Sequence, residues 1–399
     1  MTSVADTWGI HEAQFWLRGQ APEAPVRYDP QAGLWCIFGY REVQHVLADP
    51  VTFSSNTQRL VPPEMREGAD EFSEGNLIQM DAMGHKKLRG LISHAFTPKV
   101  VADMEPRIAA LTHELLDAVA DGGRMELVND LAYPLPVIVI AELLGVPASD
   151  RDKFRDWGTA LMESTQEFSF VDRTEAQSQR LKEAMQQVGK LSAYLREHVL
   201  DRRENPRDDL ITKLVQAEVG GERLTDNEVV NFSNVLLIAG HITTTMLLGN
   251  SVLCLDSHPE WLARVRADRG LVPAAIEESL RYYSPFAGTA RATTAEVELG
   301  GERIPADSLV VTFLGVANRD PKVFTDPDTF DPLRDPNPHM AFGRGAHFCI
   351  GAPLARLEGR VALNILLDRF PDLRSDPDRP PRFLPSLSMT GPKELPLVF

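Results

Sequence analysis

Residues 339–356 read HMAFGRGAHFCIGAPLAR, a glycine-punctuated turn that delivers one cysteine to the start of a helix. Gly343 and Gly345 interrupt the chain before Cys349, and Gly351 follows it. Pro353 suits a first helical turn, where a missing N–H costs nothing, and Leu354, Leu357, Val361 and Ile365 then recur at helical spacing. Cys349 is therefore held at a helix start, where backbone N–H groups and the positive end of the helix dipole favour a thiolate. A lone thiolate lacks the companions that structural zinc or an iron–sulfur cluster requires. It suits an axial position on a haem iron; the plainer reading is a buried structural cysteine beside a glycine turn.

Upstream, VLLIAGHITTTMLLGN (235–250) is an apolar run that pauses for a glycine, a histidine and three threonines. Thr225 and Glu228 form a T-x-x-E capping box, with Leu224 and Val229 suited to the accompanying staple, so a helix starts there. It stops before Pro259, which disfavours helical backbone in the residue ahead of it. About 30 residues span roughly 45 Å, enough to cross the molecule. Ala239 and Thr243 share a face of this helix, whereas His241 is rotated about 200° from Thr243. A threonine hydroxyl bonding back to the Ala239 carbonyl beside Gly240 makes either a satisfied polar kink or a groove opened for a small molecule.

The rest of the chain is consistent with a large, mainly α protein carrying a minor β region. With 399 residues, 43% of them hydrophobic, it buries a sizeable core, and no linker, repeat or low-complexity tract divides it. A single domain over 1–399 is expected, β-rich at about 25–60 with short C-terminal strands, and helical from about 85 to 285. Stretches such as FTDPDTFDPLRDPNPH are irregular loops. The opening MTSVADTWGI has no basic start followed by an apolar core, and no run reaches the ~20 apolar residues of a bilayer span, so a cytoplasmic protein without a membrane partner is expected. Cys36, Cys254 and Cys349 are too few and scattered for a disulfide framework. A net charge of −16 argues against nucleic acid as a partner.

Together these segments resemble the cytochromes P-450, the haem-thiolate monooxygenases, and specifically their soluble bacterial members. Phe342, Gly345, Cys349 and Gly351 meet the pattern Phe-x-x-Gly-x-x-x-Cys-x-Gly. Glu278 and Arg281 meet Glu-x-x-Arg, Ala239 to Thr243 match the Ala-Gly-x-acid-Thr segment of the distal helix, and His85 with Arg89 match His-x-x-x-Arg. The order and spacing of four motifs, from about residue 25 to the C-terminus, carry the resemblance. It implies the P-450 fold, with a long central distal helix and a cysteine-ligand loop. It also implies haem b ligated by Cys349 and bordered by Phe342 and Gly343, with O2 as cosubstrate. His85, Arg89, Arg291 and His347 occupy the positions that receive the haem propionates. Glu278 and Arg281 look like the buried pair that braces the haem side; Thr329 stands where an arginine is common, with Arg334 as its candidate replacement. Thr243, with Ala239 and Gly240, is implied to form the oxygen-binding groove and to donate a hydrogen bond there, as a proton-positioning group.

Ile242 departs from the pattern, since it cannot titrate where many members carry an acid. Protons must then come through water, Thr244 or a hydroxyl of the substrate. Similar acid-free helices occur among members that tailor polyketides and macrolides, which implies oxidation of a C–H bond of a sizeable apolar natural product. Matching segments place Leu77, Phe168, Phe170, Leu236, Ile242, Phe286, Ala287 and Leu387 around the substrate, within long loops including 55–78. Electrons are expected from a ferredoxin and its reductase, docked on Lys86, Lys87, Lys99, Arg344 and Arg356. Two alternatives are a peroxide-driven oxygenase, disfavoured by the retained Thr243, and a haem-bearing recruitment module without turnover.

Overall fold

The computed structural model describes residues 4–61, 75–150, 153–154, 157, 175–219, 221–386 and 388–399. The helices that position the site are α1 (Tyr40–Ala48), α2 (Ala82–Ala95), α3 (Glu105–Asp117), α4 (Pro134–Leu144), α5 (Glu175–Glu204), α6 (Leu210–Gln216), α7 (Asp226–Ser257), α8 (Val272–Tyr282) and α9 (Ala352–Arg369). α7 is the axis. The Thr225 hydroxyl accepts from the Glu228 N–H at 3.1 Å, and Glu228 Oε2 accepts from the Thr225 N–H at 2.8 Å, closing the capping box. The helix ends at Ser257, ahead of Pro259, and its 32 residues stay α-helical throughout. The polar stretch at 239–245 therefore does not interrupt the helix.

α7 packs against α5, α4, α8 and α9, and apolar residues from all five join one core cluster. By length and composition α7 could cross a membrane, but 72% of its most apolar window is buried inside the protein, as befits a core helix. One buried cation ties several helix ends together. Arg202, near the end of α5, donates to Asp209 at 2.6 Å and to the Gly145 carbonyl at 2.8 Å. Asp209 in turn caps α6 through the Thr212 N–H. Gly145 closes α4 at φ 82°, and a Cβ there would lie 2.2 Å from Asp209 Oδ2, so both conformation and space demand glycine.

The minor β region is a five-stranded sheet of β1 (Val26–Asp29), β2 (Leu34–Ile37), β3 (Phe53–Ser54), β4 (Thr289–Thr293) and β5 (Leu309–Thr312), in the order β1-β2-β5-β4-β3. The first three fall within the expected 25–60 region; the other two arrive from far down the chain. β5 runs parallel to β2, with Val310 opposite Trp35, and antiparallel to β4, with Val310 opposite Arg291. β3 pairs with β4, setting Ser54 opposite Ala292. This non-local pairing brings the chain after Ser54 beside Arg291. Short strands near the C-terminus complete the β structure, with Pro396–Val398 between Arg374–Ser375 and Arg124–Glu126.

Candidate active site

Cys349 sits where the glycine turn meets α9. Its N–H donates to the Phe342 carbonyl at 2.9 Å, closing the loop, and Gly343 and Gly345 turn the chain at φ 69° and 71°. Gly345 is also spatially required: a Cβ there would stand 2.5 Å from the Leu47 carbonyl oxygen of α1. The helix start does offer the sulfur the N–H groups of Gly351 and Ala352, with Arg89 and Arg356 as nearby positive charges. Without a metal, burial outweighs them and pushes the thiol above its ordinary value. A bound cation reverses that balance, because coordination displaces the thiol proton.

Arg356 reaches the same loop from α9. Its guanidinium lies 4.5 Å from the Phe342 ring centroid and grips Glu277 with two bonds, of 2.6 and 2.8 Å. Burial alone would raise the Glu277 carboxyl, but hydrogen bonds from Arg356 and His339 outweigh it and lower it to about 2.

The four residues expected at the propionates form one cluster. The His85 and His347 rings are 4.1 Å apart, and His347 Nε2 lies 3.0 Å from Ser55 Oγ. Burial, then the neighbouring His85 ring and the Arg291 charge, lower His347 to about 4; burial and Arg89 also lower His85. Arg291 is 7% exposed, yet among the described residues it donates only to Thr289 Oγ1 and the Ala290 carbonyl. His85 Nε2 is buried without a hydrogen-bond partner among the described residues. Asp81, whose charge opposes these shifts, is engaged by Ser54 and by the Ser55 N–H. Two histidines held neutral and a buried cation with no carboxylate bonded to it fit a group that brings its own negative charge, as two haem propionates would. Arg89 instead donates to the Phe348 carbonyl at 2.6 Å, one residue from Cys349.

α7 opens along one stripe. Val235, Ile238, Ala239, Gly240 and Thr243 are uncovered to differing degrees, while their neighbours are buried. Val235, Ala239 and Thr243 follow i, i+4, i+8, a single helix face. Thr243 Oγ1 donates to the Ala239 carbonyl at 2.7 Å, Thr244 Oγ1 to Gly240 at 2.7 Å and Thr245 Oγ1 to His241 at 2.8 Å. The back-bond to Ala239 is the one expected from the helix itself; with its proton given there, the Thr243 oxygen presents lone pairs to the groove, where the family resemblance implied a donor. His241 is fully buried on the other side, 2.7 Å from the Leu237 carbonyl and edge-on to Tyr133. Gly240 has a packing reason that sequence reading missed, since a Cβ would lie 2.5 Å from Ile140 of α4.

Glu278 and Arg281, both with 0% side-chain exposure, pair through bonds of 2.9 and 2.7 Å. Arg281 also donates to the carbonyls of Asn318, Pro327 and Thr329. Arg334 Nε donates to Glu278 Oε1 at 3.2 Å, so the arginine absent at Thr329 is supplied from five residues further on. The Asp331 N–H and Asn337 Nδ2 complete the carboxylate's partners.

Among the residues expected around the substrate, Phe168, Phe170 and Leu387 lie outside the described residues, as does much of the 55–78 loop. Phe286 is 39% exposed. Leu77, Leu236 and Ile242 are built into the main core cluster, and Ala287 is wholly buried near Trp16, Phe38 and Val316. These four back a wall more than they face a cavity. The expected basic patch is also thinner than it reads: Lys87 pairs with Glu222, Lys99 with Asp103, and Arg356 with Glu277. Lys86 and Arg344 remain exposed, with no ion pair among the described residues.

Comparison with known proteins agrees with this geometry. The Cytochrome P450 family model matches residues 31–398. Cyclomarin C epoxidase CymV of Salinispora arenicola is 45% identical over 385 residues, covering 96% of this chain and 95% of the relative. Erythromycin C-12 hydroxylase of Saccharopolyspora erythraea is 43% identical over 385 residues, covering 95% and 93%. The crystal structure of HmtT, involved in himastatin biosynthesis, is 55% identical with a TM-score of 0.90, covering 100% of both chains. With a cysteine loop, a cationic cluster suited to propionates and relatives named as hydroxylase and epoxidase, the chain belongs to the cytochrome P450 family and is one of its haem-b, O2-using monooxygenases.

Proposed function

We propose that the chain hydroxylates or epoxidises a sizeable apolar natural product in the cytoplasm, as one domain, with electrons from a ferredoxin and its NAD(P)H-fed reductase. The observation that carries this reading is the open Val235–Ala239–Thr243 stripe on a helix otherwise buried. It offers one hydroxyl in an apolar setting, which suits a ligand oriented by shape with few polar anchors. The relatives' names, cyclomarin C epoxidase and erythromycin C-12 hydroxylase, support a secondary metabolite as substrate.

Haem b, when bound, supplies oxygen activation. Cys349 would hold the iron and His85, Arg291 and His347 would bind its propionates, while Arg89 supports the cysteine loop by donating to the Phe348 carbonyl. Thr243 Oγ1 accepts a hydrogen bond from water or from a substrate hydroxyl and so holds a proton source in place. Ile242 cannot titrate, and Thr244, 3% exposed, stands off the open stripe. Substrate hydroxyl or water therefore takes the relay part that an acid would play.

A groove of about 370 Å3 runs between the Pro98–Asp103 helix, α8 and α9, floored by Val101, Ile276 and Leu357. Arg356, which lines it, also stacks on Phe342, so the groove borders the cysteine loop. A small acidic ferredoxin docks on this side, guided by Lys86 and Arg344.

The test is the reduced, carbon-monoxide-bound spectrum. The red-shifted Soret band of a thiolate-ligated haem is expected, and a histidine-type band overturns the assignment. Turnover with a surrogate ferredoxin pair but not with peroxide then separates this reading from a peroxide-driven oxygenase. Spin-state titrations with macrolides and with cyclomarin- and himastatin-type compounds, against terpenes and fatty acids, identify the substrate class.

A further inference from the structure

One buried side chain near the start of the chain holds a turn near its end. Gln14 has 0% exposure, and its Nε2 donates to the Ser386 carbonyl at 2.8 Å and to the Met389 carbonyl at 2.6 Å. An amide NH2 has two protons, so both are used in bridging Ser386 and Met389. The surrounding segment reinforces the grip: the Phe383 N–H donates to the Trp8 carbonyl at 2.7 Å, and the Trp8 and Phe383 rings stack at 5.8 Å.

On its other side the turn is bound to the segment that leads into β4. Ala287 N–H donates to the Ser388 carbonyl at 2.7 Å, Thr390 N–H to the Pro285 carbonyl at 3.0 Å, and Phe286 bridges Met389. Asn250, two turns beyond Thr243 on α7, sends its Nδ2 to the carbonyls of Tyr283 and Thr390, each at 2.9 Å. Two buried carboxamides thus hold the helix of Thr243, the segment that continues to Arg291, and the C-terminal turn in one register. Between them the Phe286 ring is left 39% exposed. The oxygen ends, Gln14 Oε1 and Asn250 Oδ1, are buried without a partner among the described residues, so there the grip is made through the NH2 ends.

We propose that Gln14 is a specificity-positioning residue: by holding Ser386 and Met389 against Phe286, it fixes the far wall of the substrate pocket and selects ligands by bulk. This rests on the reading that Phe286 faces the substrate. Gln14 touches no substrate itself. Two hydrogen bonds add little to the stability of so large a protein, but they decide where a short turn sits.

The holoenzyme is compared with Gln14→Met, which keeps length and volume and removes both donors. Imidazole, which needs only the iron, and clotrimazole, which fills the cavity, are the probes. The clotrimazole Kd is expected to change by about tenfold, with the imidazole Kd held within about twofold and the thiolate-type carbon monoxide band retained. General destabilisation leaves the ratio of the two Kd values unmoved, and an unmoved ratio overturns the proposal. If the variant yields no holoenzyme, hydrogen exchange on the wild-type protein decides. Clotrimazole but not imidazole should slow the amides of Ser386, Ser388 and Met389, and equal exchange in both complexes overturns the proposal. A wild-type protein with the thiolate band that excludes clotrimazole instead refutes the roomy-pocket reading on which the proposal rests.

Discussion

Replacing Arg281 by methionine should be far more damaging than replacing Arg334, although both arginines bond to the same carboxylate. Arg281→Met removes both bonds that pair it with Glu278 and orphans one buried carbonyl, Asn318, outright. Breaking a buried ion pair from one side costs about 3–5 kcal/mol, and an orphaned buried acceptor adds about 1–3 kcal/mol. Glu278 keeps Arg334, Asp331 N–H and Asn337, which argues for the lower end, a loss of about 4–5 kcal/mol. A typical total of about 5–15 kcal/mol leaves little after that subtraction. Arg334→Met, by contrast, leaves the Glu278–Arg281 pair whole and frees carbonyls at Thr325 and Asp326 that water reaches, for a cost of about 1–2 kcal/mol. Urea melts of the holoproteins, followed in parallel by far-UV dichroism and Soret absorbance, measure both. Equal losses for the two variants, or an Arg281→Met loss below about 1 kcal/mol, would refute the reasoning.

Thr243→Ala removes the acceptor oxygen from the open stripe, so haem and substrate binding should persist while product per NAD(P)H falls by about tenfold and peroxide rises; unchanged coupling removes Thr243 from the proton route. Burial raises the Glu358 carboxyl to about 8, so the folded protein keeps it neutral at pH 7. Its contribution is present below the ordinary value of 4.5 and is lost as pH rises toward about 8, because only the unfolded chain ionises in that window. Glu358→Gln should therefore raise Tm by an amount that grows from pH 5 to pH 8, and a constant difference counts against it. His347, lowered to about 4 from 6.5, makes the haem-free protein lose stability as pH falls through that window, since the unfolded chain takes up the proton first. His347→Gln should flatten urea-melt stability between those limits, and an unaltered slope would show that the histidine is not held neutral.

Much was legible locally. The bounds of α7 followed from Thr225, Glu228 and Pro259, because caps and prolines act on backbone groups within a turn of themselves. The orientation of His241 away from Thr243 followed from helical geometry alone. Gly240, by contrast, read as a break or groove and proved to be the place where Ile140 of α4 comes closest, which depends on a helix far away in sequence. The family resemblance implied a donor at Thr243, but its single proton goes to Ala239. The Cys349 thiol read as helix-stabilised, yet burial by the surrounding chain outweighs the helix start. Nothing in the sequence marked Gln14 or Glu358, since a glutamine or glutamate is ordinarily solvated and only burial gives it a task.

By itself, the sequence determined the long central helix, the cysteine at a helix start and the family, because capping, periodicity and motif spacing are written within short stretches of chain. Only the tertiary structure decided what those elements meet. It set β3 beside β4 and so gathered His85, His347 and Arg291 into one cationic cluster. It brought Arg334 to Glu278, and it closed Gln14 on the carbonyls of Ser386 and Met389. Each of these depends on excluding water between groups remote in sequence, and burial is a property of the folded whole.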